Sequence, residues 1–431
     1  MNQVELLYGR GKLAVTLPDG AEPTVIRKTA LPKLPDPDAA VRDALAQPIG
    51  APPLAELAKG RSSACIAICD VTRPVPNRLF LRPMIETMID AGIPADAITI
   101  LVANGLHRSG DQAELEELVG HDQWVLDRVR LVNHDARNRD GLVNLGATPT
   151  RGVPVWINRI LVEAELRIVT GLVEPHFMAG WSGGRKVVAP GVAGEDTIRT
   201  FHSALFMEDP CAVECVLEHN PLHEEQLQIV KMVGEMYSMN TVIDEERDLS
   251  FASFGDVQQA HEAAVAYVRE YAIVGVPRKF HTIVTSSAGY PLDKTYYQTV
   301  KGMVTPRDIL EPGGTIIIAS EISEGFGSPH YREAQKKFVA LGMDGFLDTL
   351  LAKQFADIDE WQTEMQMKPM RIGAIQLYTG GLTDAERADT GVELIDSVAD
   401  AVAASIARSG DAAVAVVPEG PYVIPQYQPA A

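Results

Sequence analysis

SACIAICDVTRPVPNRLFLRPMIETMIDAGIPADAITILVANGLHR, residues 63–108, is the stretch on which the fold turns. Its first eight residues form an apolar run of strand length, closed by Asp70. RLFLRPMIETMIDAG (78–92) then carries a helical pattern that ends at Gly92, and AITILVANG (97–105) is a second apolar run. Strand, helix, strand is the unit of a parallel sheet covered on both faces, whose strands read as unbroken apolar runs. The same rhythm continues outward. DQAELEELVG (111–120) predicts a helix and ELRIVTGLV (165–173) a third strand. A second series begins near residue 276. FHTIVTSSAG (280–289) and GGTIIIASE (313–321) predict strands, and DKTYYQTVKGMVT (293–305) and HYREAQKKFVALG (330–342) predict helices. VGVPRK (274–279) reads as the hinge between the two series. The expected class is α/β, with two α/β domains built on mainly parallel sheets. The first domain is expected over 1–275, with the tail 415–431 returning to it, and the second over 276–414.

Bulk properties narrow the function. A chain of 431 residues fits two or three domains and buries enough surface to fold without a disulfide or structural metal. Its formal charge of -20 argues against nucleic acid and anionic membranes, which need clustered cations. No run approaches the roughly 18 apolar residues of a membrane span, and the charged N-terminus does not look like a signal peptide. A cytoplasmic location is therefore expected. The four cysteines fall in two C-x3-C pairs (Cys65/Cys69 and Cys211/Cys215), unlike the C-x2-C spacing common at zinc sites. Cys65 and Cys69 lie in an apolar run and read as core residues.

Each strand of the first series is followed by unusual polar residues. Asp70, Thr72 and Arg73 follow the first, His107 and Arg108 the second, and Glu174 and His176 the third. Ligands of open α/β sheets bind at the carboxyl ends of the strands, so three such loops in succession point to an active site. In the second series, the helix after the first strand carries Gln298 and Lys301, three apart and hence on one face. A solvated helix face is the plainer account of that pair.

EPHFMAGWSGGRKVVAPG (174–191) sets Lys186 in a glycine-rich turn. It is not a phosphate loop of the G-x-x-x-x-G-K-[ST] type, because Val187 follows the lysine and Arg185 separates it from Gly184. The chain also has no G-x-G-x-x-G dinucleotide fingerprint. The glycines permit close backbone approach, and exposed amides there could cradle one phosphate beside the lysine. A tight turn with an exposed lysine is the plainer alternative.

P-H-x-x-A-G-x-S-G-G-x-K-x-x-x-P-G, with a histidine sixteen residues beyond the lysine, resembles the nickel-pincer nucleotide-dependent lactate racemase family. The resemblance extends to D-V-T-R-P (70–74), N-G-L-H-R (104–108), G-Y-P-L-D-x-x-x-Y-Q-x-x-K (289–301) and D-E-W-Q around Trp361. It implies an active site in a cleft between two α/β domains. It also implies a cofactor of nickel on a pyridinium-3,5-bisthiocarboxylic acid mononucleotide, made by dedicated synthesis proteins. Lys186 would be the attachment amine and His202 the protein ligand to nickel. His107 and His176 would be the paired acid/base residues, and Arg73, Gln298 and Lys301 would hold the substrate. Asp70, Thr72, Gly180, Ser182, Gly183 and Gly184 would contact the cofactor, and Trp361 would pack against it. In one departure, His202 stands in F-H-S rather than the expected N-H pair, which leaves the partner of its other ring nitrogen open.

This residue set suits inversion at the α-carbon of a 2-hydroxy acid. Removing a proton there would place a carbanion beside a carboxylate, whereas hydride removal gives a flat 2-keto acid that can be reduced from either face. A hydride acceptor is then needed, together with a base for the hydroxyl proton. Enantiomers present their hydroxyls in different directions, which gives two histidines a purpose. Arg73 suits the carboxylate because its planar fork can meet both oxygens. His219 and His223 flank Asn220-Pro221, which reads as a helix N-cap and first-turn proline, so they do not form a metal pair. Rival readings are a zinc hydrolase on His107, His176 and His202, and a non-catalytic anion-binding protein. Within the family, a C2 epimerase of a larger sugar acid or a racemase of a malate-type diacid also fits. The particular hydroxy acid and the oligomeric state stay open.

Overall fold

The computed structural model describes residues 3–429 and divides into two units. The first unit comprises residues 30–201 and 209–270, and the second residues 3–29, 202–208 and 271–429. Among the described residues no helix is long and apolar enough to cross a membrane.

The first unit is built on six strands: β1 (Ala64–Cys69), β2 (Ile98–Ala103), β3 (Arg130–Asn133), β4 (Leu166–Leu172), β5 (Tyr237–Ile243) and β6 (Leu249–Asp256). Their order in the sheet is β6-β5-β4-β1-β2-β3, and only β6 runs antiparallel to its neighbour. The expected strands at 63–70, 97–105 and 165–173 are β1, β2 and β4. Helix α1 (Asn77–Asp90) buries Phe80, Leu81, Met84, Ile85 and Met88, a stripe at helical spacing, and the chain turns at Gly92 with φ +109. Helix α2 (Gln112–Leu118) starts with a reciprocal capping box between Asp111 and Glu114. The stripe of α1 packs with Ile66, Ile68, Ile100, Ile168, Met239 and Phe254 in one apolar core. All four cysteines are free thiols, and burial pushes Cys65 up to about 12 and Cys69 up to about 11. Cys65 is a core residue as read, whereas Cys69 at the end of the strand is half-buried.

The second unit carries a wholly parallel sheet. Its strands are β7 (Phe280–Ser286), β8 (Leu310–Ala319), β9 (Ala374–Tyr378), β10 (Glu393–Ile395) and β11 (Ala413–Val417), with a short strand at Glu22–Val25. The order is β10-β9-β8-β7-β11 and then Glu22–Val25. Alternate side chains serve opposite faces. Val284, Ile317, Val414 and Val416 pack on one side, while Ile283, Ile316, Ala415 and Val417 pack on the other.

This arrangement corrects the expected domain boundaries at both ends. The tail does not return to the first unit. β11 is a fully buried AVAVV run that pairs with β7 on one side and Glu22–Val25 on the other, so both chain ends complete the second sheet. Residues 273–276 are not a hinge either: they form a strand paired with Ile424–Tyr427. The expected helix at 330–342 is present: the helical run Pro329–Leu351 breaks at Gly342, with φ +70 and ψ 176, and a second helix follows it.

The position of β11 makes a test possible. A chain ending at Ala412 should lose amide protection in β7 and in Glu22–Val25, as read by hydrogen exchange and mass spectrometry. Protection unchanged from the full chain would show that the last strand is dispensable.

Candidate active site

In the first sheet the chain runs outward from β1 through β2 to β3 and then returns to place β4 on the other side of β1. Such a switch of direction opens a crevice at the carboxyl ends of the strands. The loops after β4, β1 and β2 all open at that edge. Asp70 directly follows β1 and His107 lies in the loop after β2. The Asp70 Oδ2 is 2.7 Å from the His107 Nδ1. Asp70 Oδ1 accepts from the Thr72 hydroxyl and the Thr72 amide. Burial opposes the charge on Asp70, but the contacts with His107 and Thr72 outweigh it, and the carboxyl is held below the usual aspartate range. Beside this pair, Arg73 Nη1 donates to Glu174 Oε1 at 2.9 Å. Glu174 is a partner that the sequence could not reveal, because 101 residues separate it from Arg73.

The glycine-rich turn follows β4. Gly180, Gly183 and Gly184 have φ +74, +80 and +49. Close approach is the stronger requirement: a Cβ on Gly171 of β4 would lie 2.7 Å from the Cα of Gly183. The Ser182 hydroxyl donates to the Leu172 carbonyl at 2.7 Å and accepts from the Glu174 amide at 3.0 Å, which stitches the turn to the end of β4. The turn is not a row of free amides. The N–H groups of Trp181, Ser182, Lys186 and Val187 donate to backbone carbonyls, and that of Gly184 donates to Asn240 Oδ1. The expected phosphate cradle is therefore largely spent on holding the turn in place.

Lys186 sits on a single helical turn, α3 (Arg185–Val188). This turn packs against β1 and β4, so the lysine belongs to the same strand edge. The residue before it, Arg185, is fully buried and was not singled out from the sequence. It donates to the carbonyls of Trp181 and Ala179 at 3.0 and 2.9 Å and lies 2.9 Å from His261 Nε2. Burial pulls this guanidinium down to about 9. Its neighbours feel it. His223 is pushed down to about 3, by burial first and then by the Arg185 charge, and His261 falls well below the usual imidazole range for the same reasons. As the sequence predicted, Asn220 caps the helix α4 (Pro221–Val233) that begins between His219 and His223.

His176 lies in a short hairpin in which Pro175 pairs with Trp181 and His176 with Gly180. Its Nδ1 accepts from the amides of Ala179 at 3.2 Å and Met178 at 3.4 Å.

The remaining predicted residues belong to the second unit. His202 packs its ring against Trp361, with centroids 4.5 Å apart. Trp361 Nε1 donates to the Tyr297 hydroxyl at 3.1 Å. Tyr297 is on the helix α5 (Tyr296–Val304) that also carries Gln298 and Lys301 one turn apart. Helix α6 (Glu360–Met370) places Trp361 in its first turn. The segment 202–208 is tied down where Arg371 grips Glu208 through both guanidinium nitrogens, at 2.7 and 3.2 Å.

The donor set fits a metal carried on an organic group. Among the described residues, no cluster of three or more His, Cys, Asp or Glu is placed to hold a metal ion. A zinc site made by the protein alone would need such a cluster. A metal supplied with most of its ligands needs only one imidazole from the chain and an amine to tether its carrier, and His202 and Lys186 are residues of those types. Gln298 Oε1 is buried without a hydrogen-bond partner, an acceptor that a bound hydroxyl would satisfy.

Comparison with known proteins agrees with this geometry. Family models for the lactate racemase N-terminal and C-terminal domains match residues 8–214 and 277–424. A lactate racemase of Thermoanaerobacterium thermosaccharolyticum is 36% identical over 330 residues, covering 76% of each chain. One from Lactiplantibacillus plantarum is 31% identical over 393 residues, covering 89% of this chain and 90% of its own. The solved apoprotein of the Thermoanaerobacterium thermosaccharolyticum lactate racemase superposes with TM-score 0.90 at 29% identity, over 98% of this chain and 100% of that one. A Thermotoga maritima protein shares the fold, with TM-score 0.66 at 17% identity over 91% of this chain and 98% of that one. The two parallel-dominated sheets are thus the fold of a racemase, an isomerase. The chain belongs to the lactate racemase family.

The buried His223 has a consequence for acid stability. Its pKa is depressed in the fold, so its contribution is complete above about pH 6.5, the ordinary imidazole value, and is lost as the pH falls toward 3. His223→Leu removes this proton uptake. The stability of the variant relative to wild type should therefore improve, by an amount on the order of 4 kcal/mol at full extent, between pH 6.5 and about 3. Urea unfolding at a series of pH values would measure it. A difference that does not change with pH would place His223 in solvent.

Proposed function

We propose that the chain racemises a small, lactate-like 2-hydroxy acid with a nickel-pincer pyridinium cofactor delivered by separate synthesis proteins. Lys186 would attach the cofactor, and His202 would bind the nickel with Trp361 packed beside it. Asp70, Thr72 and the turn at Gly180, Ser182, Gly183 and Gly184 would contact it. When bound, the group supplies a reversible acceptor for the hydride on the substrate α-carbon. The chain's own residues bind the acid and handle its proton. Arg73 gives one nitrogen to Glu174 and keeps donors for the substrate carboxylate, with Lys301 as a second cation and Gln298 as an acceptor for the hydroxyl. His107 and His176 are the proton carriers.

The observation that carries this reading is a shared strand edge. β1, β2 and β4 are adjacent and parallel, and the loops that leave them hold the Asp70–His107 pair, Arg73, His176 and Lys186. A racemase needs a base backed by a carboxylate next to an anion-binding cation, and these loops supply both.

Cofactor-loaded protein incubated with single-enantiomer 2-hydroxy acids should convert lactate, in either hand, to the opposite enantiomer. Malate and an aldonate belong in the same panel. Turnover of these and not of lactate would replace the lactate-like substrate. Lys186→Ala and His202→Ala should each abolish retention of nickel and sulfur after gel filtration, as read by elemental analysis. Full nickel content in either variant would remove that residue from its role. His107→Ala should lower kcat by about 10²–10⁴ while nickel content stays at the wild-type level.

A further inference from the structure

We infer that the two imidazoles at the strand edge are held in opposite neutral tautomers, and that Asp70 is the positioning residue that sets one of them. His107 then carries its proton on Nδ1 and presents a bare Nε2. His176 has a bare Nδ1 and carries its proton on Nε2. The functional consequence rests on the proposed proton chemistry of both residues, but the tautomers do not.

The assignment follows from what each ring nitrogen faces. Asp70 Oδ2 lies 2.7 Å from His107 Nδ1. An ionised carboxylate offers only lone pairs, so the proton in this contact belongs to the imidazole. Asp70 is kept ionised by its surroundings: the Thr72 hydroxyl and amide both donate to its other oxygen. At His176 the situation is reversed. The amides of Ala179 and Met178 point at Nδ1 from 3.2 and 3.4 Å. A backbone N–H can only donate, so Nδ1 must accept, and the single proton of a neutral ring goes to Nε2. The cause is local. The hairpin that pairs His176 with Gly180 folds the Phe177–Ala179 turn back over its own ring.

The two histidines are therefore not interchangeable. Neutral His107 can take the substrate hydroxyl proton on Nε2, with Asp70 stabilising the resulting imidazolium. Neutral His176 presents an N–H to the substrate oxygen. It can accept a proton only at Nδ1, where two amides already point, so it must first release the 177–179 turn. His107 is thus the resident base, and His176 becomes a proton carrier only once the 177–179 turn has released its Nδ1.

The test uses the full-length chain labelled with ¹⁵N-histidine, at about pH 8.5 where an ordinary imidazole is neutral. Two-bond ¹H–¹⁵N correlations read each ring nitrogen as protonated or bare, and His107→Gln and His176→Gln assign the signals. Protonated Nδ1 at His107 with protonated Nε2 at His176 is the expected result; the same tautomer at both sites overturns the inference. Asp70→Asn supplies the second arm. The Thr72 donors would hold the amide oxygen of the new side chain, so its NH2 would face His107 and drive the proton to Nε2. The His107 signals should switch tautomer. In cofactor-loaded protein kcat should fall about 10²–10⁴-fold, with KM changed by less than about threefold. An unswitched His107 removes the positioning role of Asp70. A switched tautomer with unchanged kcat keeps the inference and instead removes His107 as the base.

Discussion

A cation buried without a carboxylate is expensive, and Arg185 is such a cation. It is tolerated because two main-chain carbonyls, those of Ala179 and Trp181, accept from it and an imidazole lies within reach. Those carbonyls belong to the loop that leaves β4, so the same contacts that satisfy the guanidinium also fix the path of the chain between His176 and Lys186. The glycines make the arrangement possible. Without a side chain at 171, 183 or 184, the turn can lie against β4 and against His261. Lys186 thus starts from a backbone with little freedom, and its reach is set by its own side chain. The charge also dictates the chemistry of its neighbours. His223 and His261 face a fixed positive group in a dry setting and stay neutral, which keeps them out of proton traffic.

Much of the first sheet could be read from the sequence because its central strands are buried on both faces. ACIAIC is apolar throughout and ITILVA has only the buried Thr99, so both read as continuous strand-length runs. The strands that escaped attention lack that signature. β5, YSMNTVI, buries Ser238, Asn240 and Thr241, and Asn240 is polar because it accepts from Gly184 in the turn. Helix α6 hides for the same reason. Glu360, Gln362, Thr363, Glu364 and Gln366 are buried with Trp361, so the helix has no solvent face to give it a period. The short strand Glu22–Val25 is mostly exposed and pairs only with β11, hundreds of residues away in sequence.

The site was legible as a set of residue types and illegible as a set of partnerships. Strand-end positions brought out Asp70, Arg73, His107 and His176, because the carboxyl edge of a parallel sheet is where such side chains can act together. Nothing local said that Asp70 would bond His107 or that Arg73 would bond Glu174. Nothing in the sequence singled out Arg185, and only its burial shows that it faces inward. A glycine-rich turn next to a lysine suggested free amides, yet the amides close the turn on itself.

The placement of β11 bears on how the molecule is made. A strand from residues 413–417 occupies an interior position in a sheet whose first member is at residues 22–25. On a ribosome the sheet of residues 30–270 can assemble while the C-terminal half is still being synthesised, because all its strands have by then emerged. The other sheet must wait. Its leading strand leaves the exit tunnel early and stays unpaired until residues 413–417 have been translated. Residues 22–25 are short, and they carry Glu22 and Pro23, features that discourage pairing with a stranger during the delay. Topology of this kind makes the nascent N-terminus a natural client for chaperones, and makes stalled or shortened translation products of this chain poor candidates for rescue.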